Sequence, residues 1–252
     1  MDQQAQSFLA AVDAAGGPSI VEMTPGDARE MFAGLTDFHL PVRADVSTTD
    51  FVALPETGDA VPCRLYRPAD ESGEALPVVF YFHGGGWVVG CVETHDTLCQ
   101  HLCHHSEAAI ISVDYRLAPE YPFPTAVEDC YRTVDYVIRR AGDFGLDATR
   151  VAVAGDSAGG NLAAMTSQMA RNFRAVSKDA PAIAFQALIY PVTDSRCDTR
   201  SYTDFATDYG LTKDEMRYFW SCYCSSESAH EISASLLTGR SERTACHLDS
   251  NG

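Results

Sequence analysis

The segment Val151-Ala-Val-Ala-Gly-Asp-Ser157-Ala-Gly-Gly160 constrains this chain more than any other. An apolar, strand-like run meets a helix-like run at Ala158, so the backbone must turn sharply at Ser157. Gly155 and Gly159, two before and two after the serine, let strand and helix approach closely. Such a turn strains the serine backbone and exposes its hydroxyl. The flanking sequence repeats the strand, helix, strand rhythm. Strand patterns cover Val46 to Leu54, Val61 to Arg67 and Pro77 to Phe82. Helix His95 to His105 then leads to strand Ala109 to Val113, helix Pro124 to Arg140 to strand Val151 to Ala154, and helix Ala158 to Phe173 to strand Ile183 to Tyr190. This alternation predicts an α/β fold, a mostly parallel sheet with helices on both faces.

The first residues read differently. Ala5 to Ala14 has a helical pattern, and Thr24-Pro25 starts a second helix with Thr as cap and Pro at the first helical position. Residues 1–42 are therefore expected to form a helical cap, residues 43–237 the core with a cap insertion around 200–228, and residues 238–252 a separate tail.

Composition narrows the function classes. The 252 residues, 46% of them hydrophobic, suffice for one full core. The formal net charge of -17 argues against nucleic acid or an anionic membrane as partner, because no basic cluster offsets the repulsion. The N-terminal residues lack the basic and apolar regions of a signal peptide, no apolar run reaches the length of a membrane span, and a cytoplasmic setting is expected. Nine cysteines, an odd number without framework spacing, fit reduced thiols. Cys99 and Cys103 with His104 and His105 place at most two or three ligands on one helix face, and Cys222 and Cys224 point apart, so no metal or cofactor is expected.

The second motif, His83-Gly84-Gly85-Gly86-Trp87, directly follows a predicted strand. Glycines there can present successive backbone N–H groups to an oxyanion. A flexible turn or a phosphate loop would explain this loop alone but not its pairing with the serine elbow. With the amide of Ala158, those of Gly84 and Gly85 would give three donors for the tetrahedral intermediate of acyl transfer.

These residues resemble the hormone-sensitive-lipase-like esterases of the alpha/beta-hydrolase fold. The resemblance rests on His83 to Trp87, on Asp114-Tyr-Arg-Leu-Ala-Pro-Glu120 with Pro122, Phe123 and Pro124, on Gly155 to Gly160, and on Tyr190-Pro191. It spans roughly residues 1–237. It implies a helical cap over an eight-stranded sheet and hydrolysis of short acyl esters by a Ser, Asp, His triad without cofactor. Ser157 is then the nucleophile, Gly84, Gly85 and Ala158 form the oxyanion hole, and Asp114 to Pro119 is a structural turn. Trp87, Tyr190, Phe205, Tyr209, Met216, Phe219 and Trp220 are candidates to line a substrate pocket or, equally, to pack cap against sheet.

The chain departs from the family where the acid and base belong. The family's Asp-Pro-Leu-type and His-Gly-Phe-type segments do not occur. Only His230 and His247 follow Ser157, both in polar sequence, while His39, His95, His101, His104 and His105 precede it, against the Ser, acid, His order of this fold. Asp194, Asp198, Asp204 and Asp208 follow the serine without a family pattern. Permitted codons for the residues from Thr238, read one base out of frame, give Pro-Asp-Asp-Leu-Ser-Gly, similar to the family segment that precedes the acid. A frameshift near Leu237 is therefore expected to have replaced the last strands, leaving a well-placed, poorly activated serine and an exposed sheet edge prone to self-association. The alternatives are activity through His230 or His247, a related amidase or thioesterase, and a non-catalytic ligand-binding protein on the same fold.

Overall fold

The computed structural model describes residues 2–34, 43, 45–54, 56, 59–69, 73–226, 228 and 236. His39, His230, His247 and the tail 238–252 lie outside the described residues.

Six strands, β1 (Val46–Ala53), β2 (Val61–Pro68), β3 (Leu76–Phe82), β4 (Ala109–Val113), β5 (Leu146–Asp156) and β6 (Ile183–Ile189), form one sheet in the order β1-β2-β4-β3-β5-β6. The pairs β1/β2 and β2/β4 are antiparallel, whereas β3/β4, β3/β5 and β5/β6 are parallel. The expected mostly parallel sheet is present. The described helices are α1 (Gln3–Ala15), α2 (Pro25–Gly34), α3 (Asp96–Ser106), α4 (Thr125–Arg139), α5 (Ala158–Val176), α6 (Arg200–Asp204) and α7 (Lys213–Tyr223).

Period-two alternation sorts the strands onto two cores. Val78, Phe80 and Phe82 of β3 join Val127 and Val134 of α4 and Leu162 and Met165 of α5 on one face. Val79 and Tyr81 turn the other way, onto Tyr66, Ile110 and the Cys99 and Cys103 side chains of α3. Helix α4 forms because Ala126, Val127, Cys130, Tyr131, Val134 and Val137 recur at helical spacing and are all buried. Each large apolar side chain so buried contributes about 1.5–3 kcal/mol.

Strand boundaries shift for local reasons. β1 and β6 each end one residue earlier than the sequence pattern, because Leu54 and Tyr190 take φ of 56° and 36°, outside the extended region. β5 starts at Leu146 rather than Val151. Its polar first half, where Asp147 accepts from both the amide and the hydroxyl of Thr149, carries no apolar alternation to reveal it.

Two contacts fasten the N-terminal and α7 helices above the sheet. Arg29 of α2 donates to the carbonyls of Val88 (2.8 Å) and Ala118 (3.0 Å) and grips Glu120 with both terminal nitrogens. Helix α7 starts with a reciprocal Thr212 and Glu215 capping box. Its Tyr223 stacks on Trp87 at 4.2 Å, and Trp220 lies 4.7 Å from the same indole.

Candidate active site

Ser157 sits between β5 and α5 with φ 52° and ψ −116°, a conformation costing a non-glycine residue of order 1–3 kcal/mol. Neighbouring backbone holds it there. Its N–H donates to the Ile189 carbonyl (2.9 Å), and its carbonyl accepts from Asn161 (3.1 Å) and Val192 (3.1 Å). The Asn161 side-chain Nδ2 donates to the Val192 carbonyl at 2.8 Å. The elbow is thus tied to the end of β6 and to the first turn of α5. A methyl group at Gly159 would collide with the Phe82 carbonyl, and one at Gly155 with Gly159 and Phe82 backbone. That is why glycine stands on both sides of the serine.

The parallel register Phe82 to Gly155 places the loop after β3 beside the elbow. His83 at its start is fully buried, stacked on Tyr115 at 4.3 Å, with its carbonyl accepting the Tyr115 hydroxyl at 2.7 Å. Its Nδ1 lies 2.8 Å from the Gly84 carbonyl, which can only accept, so Nδ1 carries the proton. Burial, with the nearby His95, pushes the imidazole pKa down to about 3. His83 is a neutral brace for the loop.

The Gly84 amide, expected among the oxyanion donors, is already committed: it donates to Asp156 Oδ1 at 3.0 Å. The amides of Gly85, Gly86 and Ala158 have no acceptor among the described residues. Gly86 lies directly under the Phe219 ring of α7, and Gly85, at φ 118°, leaves no room for a Cβ beside the Val89 carbonyl. The free donors are therefore displaced by one residue from the sequence expectation.

Asp156 is the hub beneath this loop. Its Oδ1 accepts from the Tyr81 hydroxyl (2.7 Å) and the Gly84 amide, and lies 3.3 Å from His95 Nε2. Burial works against its ionisation. The hydrogen bond and charge of His95 and the Tyr81 hydroxyl outweigh that, and the carboxyl stays below its ordinary pKa. The segment Asp114 to Glu120 supports the loop from the other side, as expected of a structural turn. Tyr115 carries His83, the Ala118 amide donates to the Trp87 carbonyl (2.9 Å), and Arg116 is fixed on buried Asp129 through its amide and guanidinium.

The remaining candidate residues divide by burial. Trp87, a candidate for substrate contact, is 0% exposed under α7 and belongs to the core. Met216, Phe219 and Trp220 are likewise buried, whereas Phe205, Tyr209 and Tyr190 are exposed. Asp194 pairs with Arg196 and Asp204 with Arg200, while Asp198 and Asp208 are exposed. Among the described residues, no histidine or carboxylate hydrogen-bonds to Ser157. His104 pairs with Asp45 at 2.7 Å. Burial pushes the Cys103 thiol up to about 11 and raises that of Cys99 further, which disfavours thiolate ligands. Among the described residues, no three His, Cys, Asp or Glu side chains converge to hold a metal.

The sequence reading missed Asp156 and His95. The one available signal was an acidic residue inside the elbow motif itself, next to the serine.

A strained serine where a parallel strand enters a helix, flanked by a glycine loop with unpaired amides, defines the architecture of an alpha/beta hydrolase. Consistent with this, the profile of the alpha/beta hydrolase fold family matches residues 79–248, and the chain belongs to that family. It is 42% identical over 179 residues to the carboxylic ester hydrolase LipN of Mycobacterium tuberculosis, a match covering 71% of this chain and 46% of the relative. It is 38% identical over 176 residues to the ethyl acetate hydrolase of Pseudomonas putida, covering 69% and 54%. The chain thus spans about half the length of these curated relatives. Among solved structures, a thermostable esterase from Pseudomonas putida superposes with a TM-score of 0.85 at 34% identity, over 92% of this chain and 71% of that one. A hyperthermophilic esterase from the archaeon Pyrobaculum calidifontis gives 0.82 at 37%, over 93% and 74%. The resemblance to hormone-sensitive-lipase-like esterases therefore holds at the level of family and fold.

Proposed function

We propose that this protein is a carboxylic ester hydrolase acting on small esters, with Ser157 as nucleophile and an acyl-enzyme as intermediate. The observation that carries this reading is the strained Ser157 beside three unpaired amides, those of Gly85, Gly86 and Ala158. An ester carbonyl over the serine would place its developing negative charge among donors already oriented, and each such donor is worth about 10² to 10³ in rate. The relatives LipN, a carboxylic ester hydrolase, and the ethyl acetate hydrolase of Pseudomonas putida support the substrate class. Exposed Tyr190, one residue past β6 and thus next to the elbow, is the proposed wall of the substrate site. The family's Asp-Pro-Leu-type and His-Gly-Phe-type segments do not occur in this sequence, so a polypeptide of these 252 residues is expected to acylate slowly and deacylate more slowly still. Intact-mass analysis after incubation with p-nitrophenyl butyrate checks this. A butyryl group on Ser157, absent in Ser157→Ala, is expected; a wild type that stays unacylated excludes acyl transfer at the serine.

The same reading includes a reducing, cytoplasmic setting, supported by eight unpaired cysteines among the described residues. Among the described residues no helix is long and apolar enough to cross a membrane. It also includes self-association through β6. Among the described strands β6 lies at the edge of the sheet, reads Ile-Ala-Phe-Gln-Ala-Leu-Ile without a charge, and leaves Phe185 66% exposed. Phe185→Lys is expected to shift the protein toward monomer in size-exclusion chromatography with light scattering; an unchanged elution mass would argue against edge pairing.

A further inference from the structure

We propose that Asp156 and His95 form a positioning pair that fixes the oxyanion loop over Ser157. This rests on the esterase reading above.

Two hydrogen-bond donors and one imidazole nitrogen, from three different elements, converge on one carboxylate oxygen. Tyr81 comes from β3, Gly84 from the loop after it, and His95 from the short 3-10 turn Glu93–His95 that precedes α3. Asp156 itself is the last residue of β5, directly before the serine. The oxygen that holds the loop is therefore attached to the backbone that holds the nucleophile, and the two can shift only together. The contact is close, since a Cβ on Gly84 would overlap the Asp156 carboxylate. His95 is held in turn, its Nδ1 2.9 Å from the oxygen of the Thr94 hydroxyl, whose one proton is donated to the Cys91 carbonyl at 2.8 Å. His95 is 9% exposed and Asp156 is 9% exposed, so water does not replace these bonds readily.

The consequence is geometric. By taking the Gly84 amide for anchoring, Asp156 leaves the next two amides, of Gly85 and Gly86, free at a fixed distance from the elbow. Neither Asp156 nor His95 touches the reacting atoms. Their effect passes through the loop, where a misplacement of about 1 Å costs about 10² in rate.

The test uses the full chain and a fluorophosphonate, which forms a Ser157 Oγ–P bond as the P–F bond breaks, fluoride leaves and the serine proton passes to solvent. The maximal labelling rate of Asp156→Ala is expected to fall about 100-fold with the half-saturating concentration unchanged. Asp156→Asn, whose amide oxygen can still accept from Gly84 and Tyr81, should recover to within about tenfold of wild type. By NMR, exchange of the Gly84 amide should accelerate in Asp156→Ala and stay slow in Asp156→Asn. If Asp156→Ala fails to fold, His95→Phe and Tyr81→Phe each remove one polar contact from the same oxygen, and each should slow labelling several-fold. Wild-type labelling no faster than Ser157→Ala overturns the esterase reading and this pair with it. Clear wild-type labelling that none of the folded variants slows, or a Gly84 amide whose exchange none of them alters, overturns the positioning pair alone.

Discussion

Gly159→Ala is expected to leave almost no soluble, folded protein. The added methyl would overlap the carbonyls of Phe82 and His83, which belong to β3 and to the start of the glycine loop. Neither can retreat. Phe82 is paired with Gly155 across the parallel ladder, and the His83 carbonyl is held by Tyr115. Relief would require separating α5 from the sheet, where Leu162, Met165 and Met169 are buried. The expected cost exceeds about 4 kcal/mol, a large part of the 5–15 kcal/mol typical of a whole domain. Gly142→Ala is the matched control, since a Cβ there meets nothing within 4 Å. Thermal unfolding of the two variants beside wild type measures the difference; a Gly159→Ala variant that melts with wild type would show that the elbow is looser than described.

The second large effect concerns turnover. With oriented donors but without the family's Asp-Pro-Leu-type and His-Gly-Phe-type segments, a polypeptide of these 252 residues is expected to hydrolyse p-nitrophenyl butyrate on the order of a millionfold below an intact triad enzyme. Removing the serine should then change little, because triad members act as a unit and the residual rate comes from the oxyanion donors and binding. Wild type and Ser157→Ala are thus expected within about tenfold of each other in steady state, although only wild type becomes acylated. A wild type more than about a thousandfold faster would show that a base reaches Ser157, and His230→Ala and His247→Ala would identify it.

Much of the scaffold was legible in the sequence because it depends on local pattern. Apolar runs such as Ala109 to Val113 are buried along their whole length, and the periodic apolar face of α4 packs on the sheet. The elbow was legible for the same reason: its constraints lie within a few residues of Ser157. What escaped depends on contacts between distant segments. Trp87 looks like a pocket residue until Tyr223 and Trp220 close over it. Asp156 and His95 look like ordinary polar residues until the β3/β5 register brings Tyr81 and Gly84 to the same carboxylate. The shift from Gly84 to Gly86 among the free donors follows from that same bond. A run of three glycines says that amides can face an oxyanion, but not which one is needed elsewhere.

A crystal structure of the protein after reaction with a phosphonate ester tests the oxyanion-loop assignment most directly. Phosphorus is expected on Ser157 Oγ, with the phosphoryl oxygen about 2.7–3.1 Å from the amides of Gly85, Gly86 and Ala158. The Gly84 amide should remain on Asp156. Phosphorus on any other side chain, or a phosphoryl oxygen held by Gly84 in place of Gly86, would contradict it.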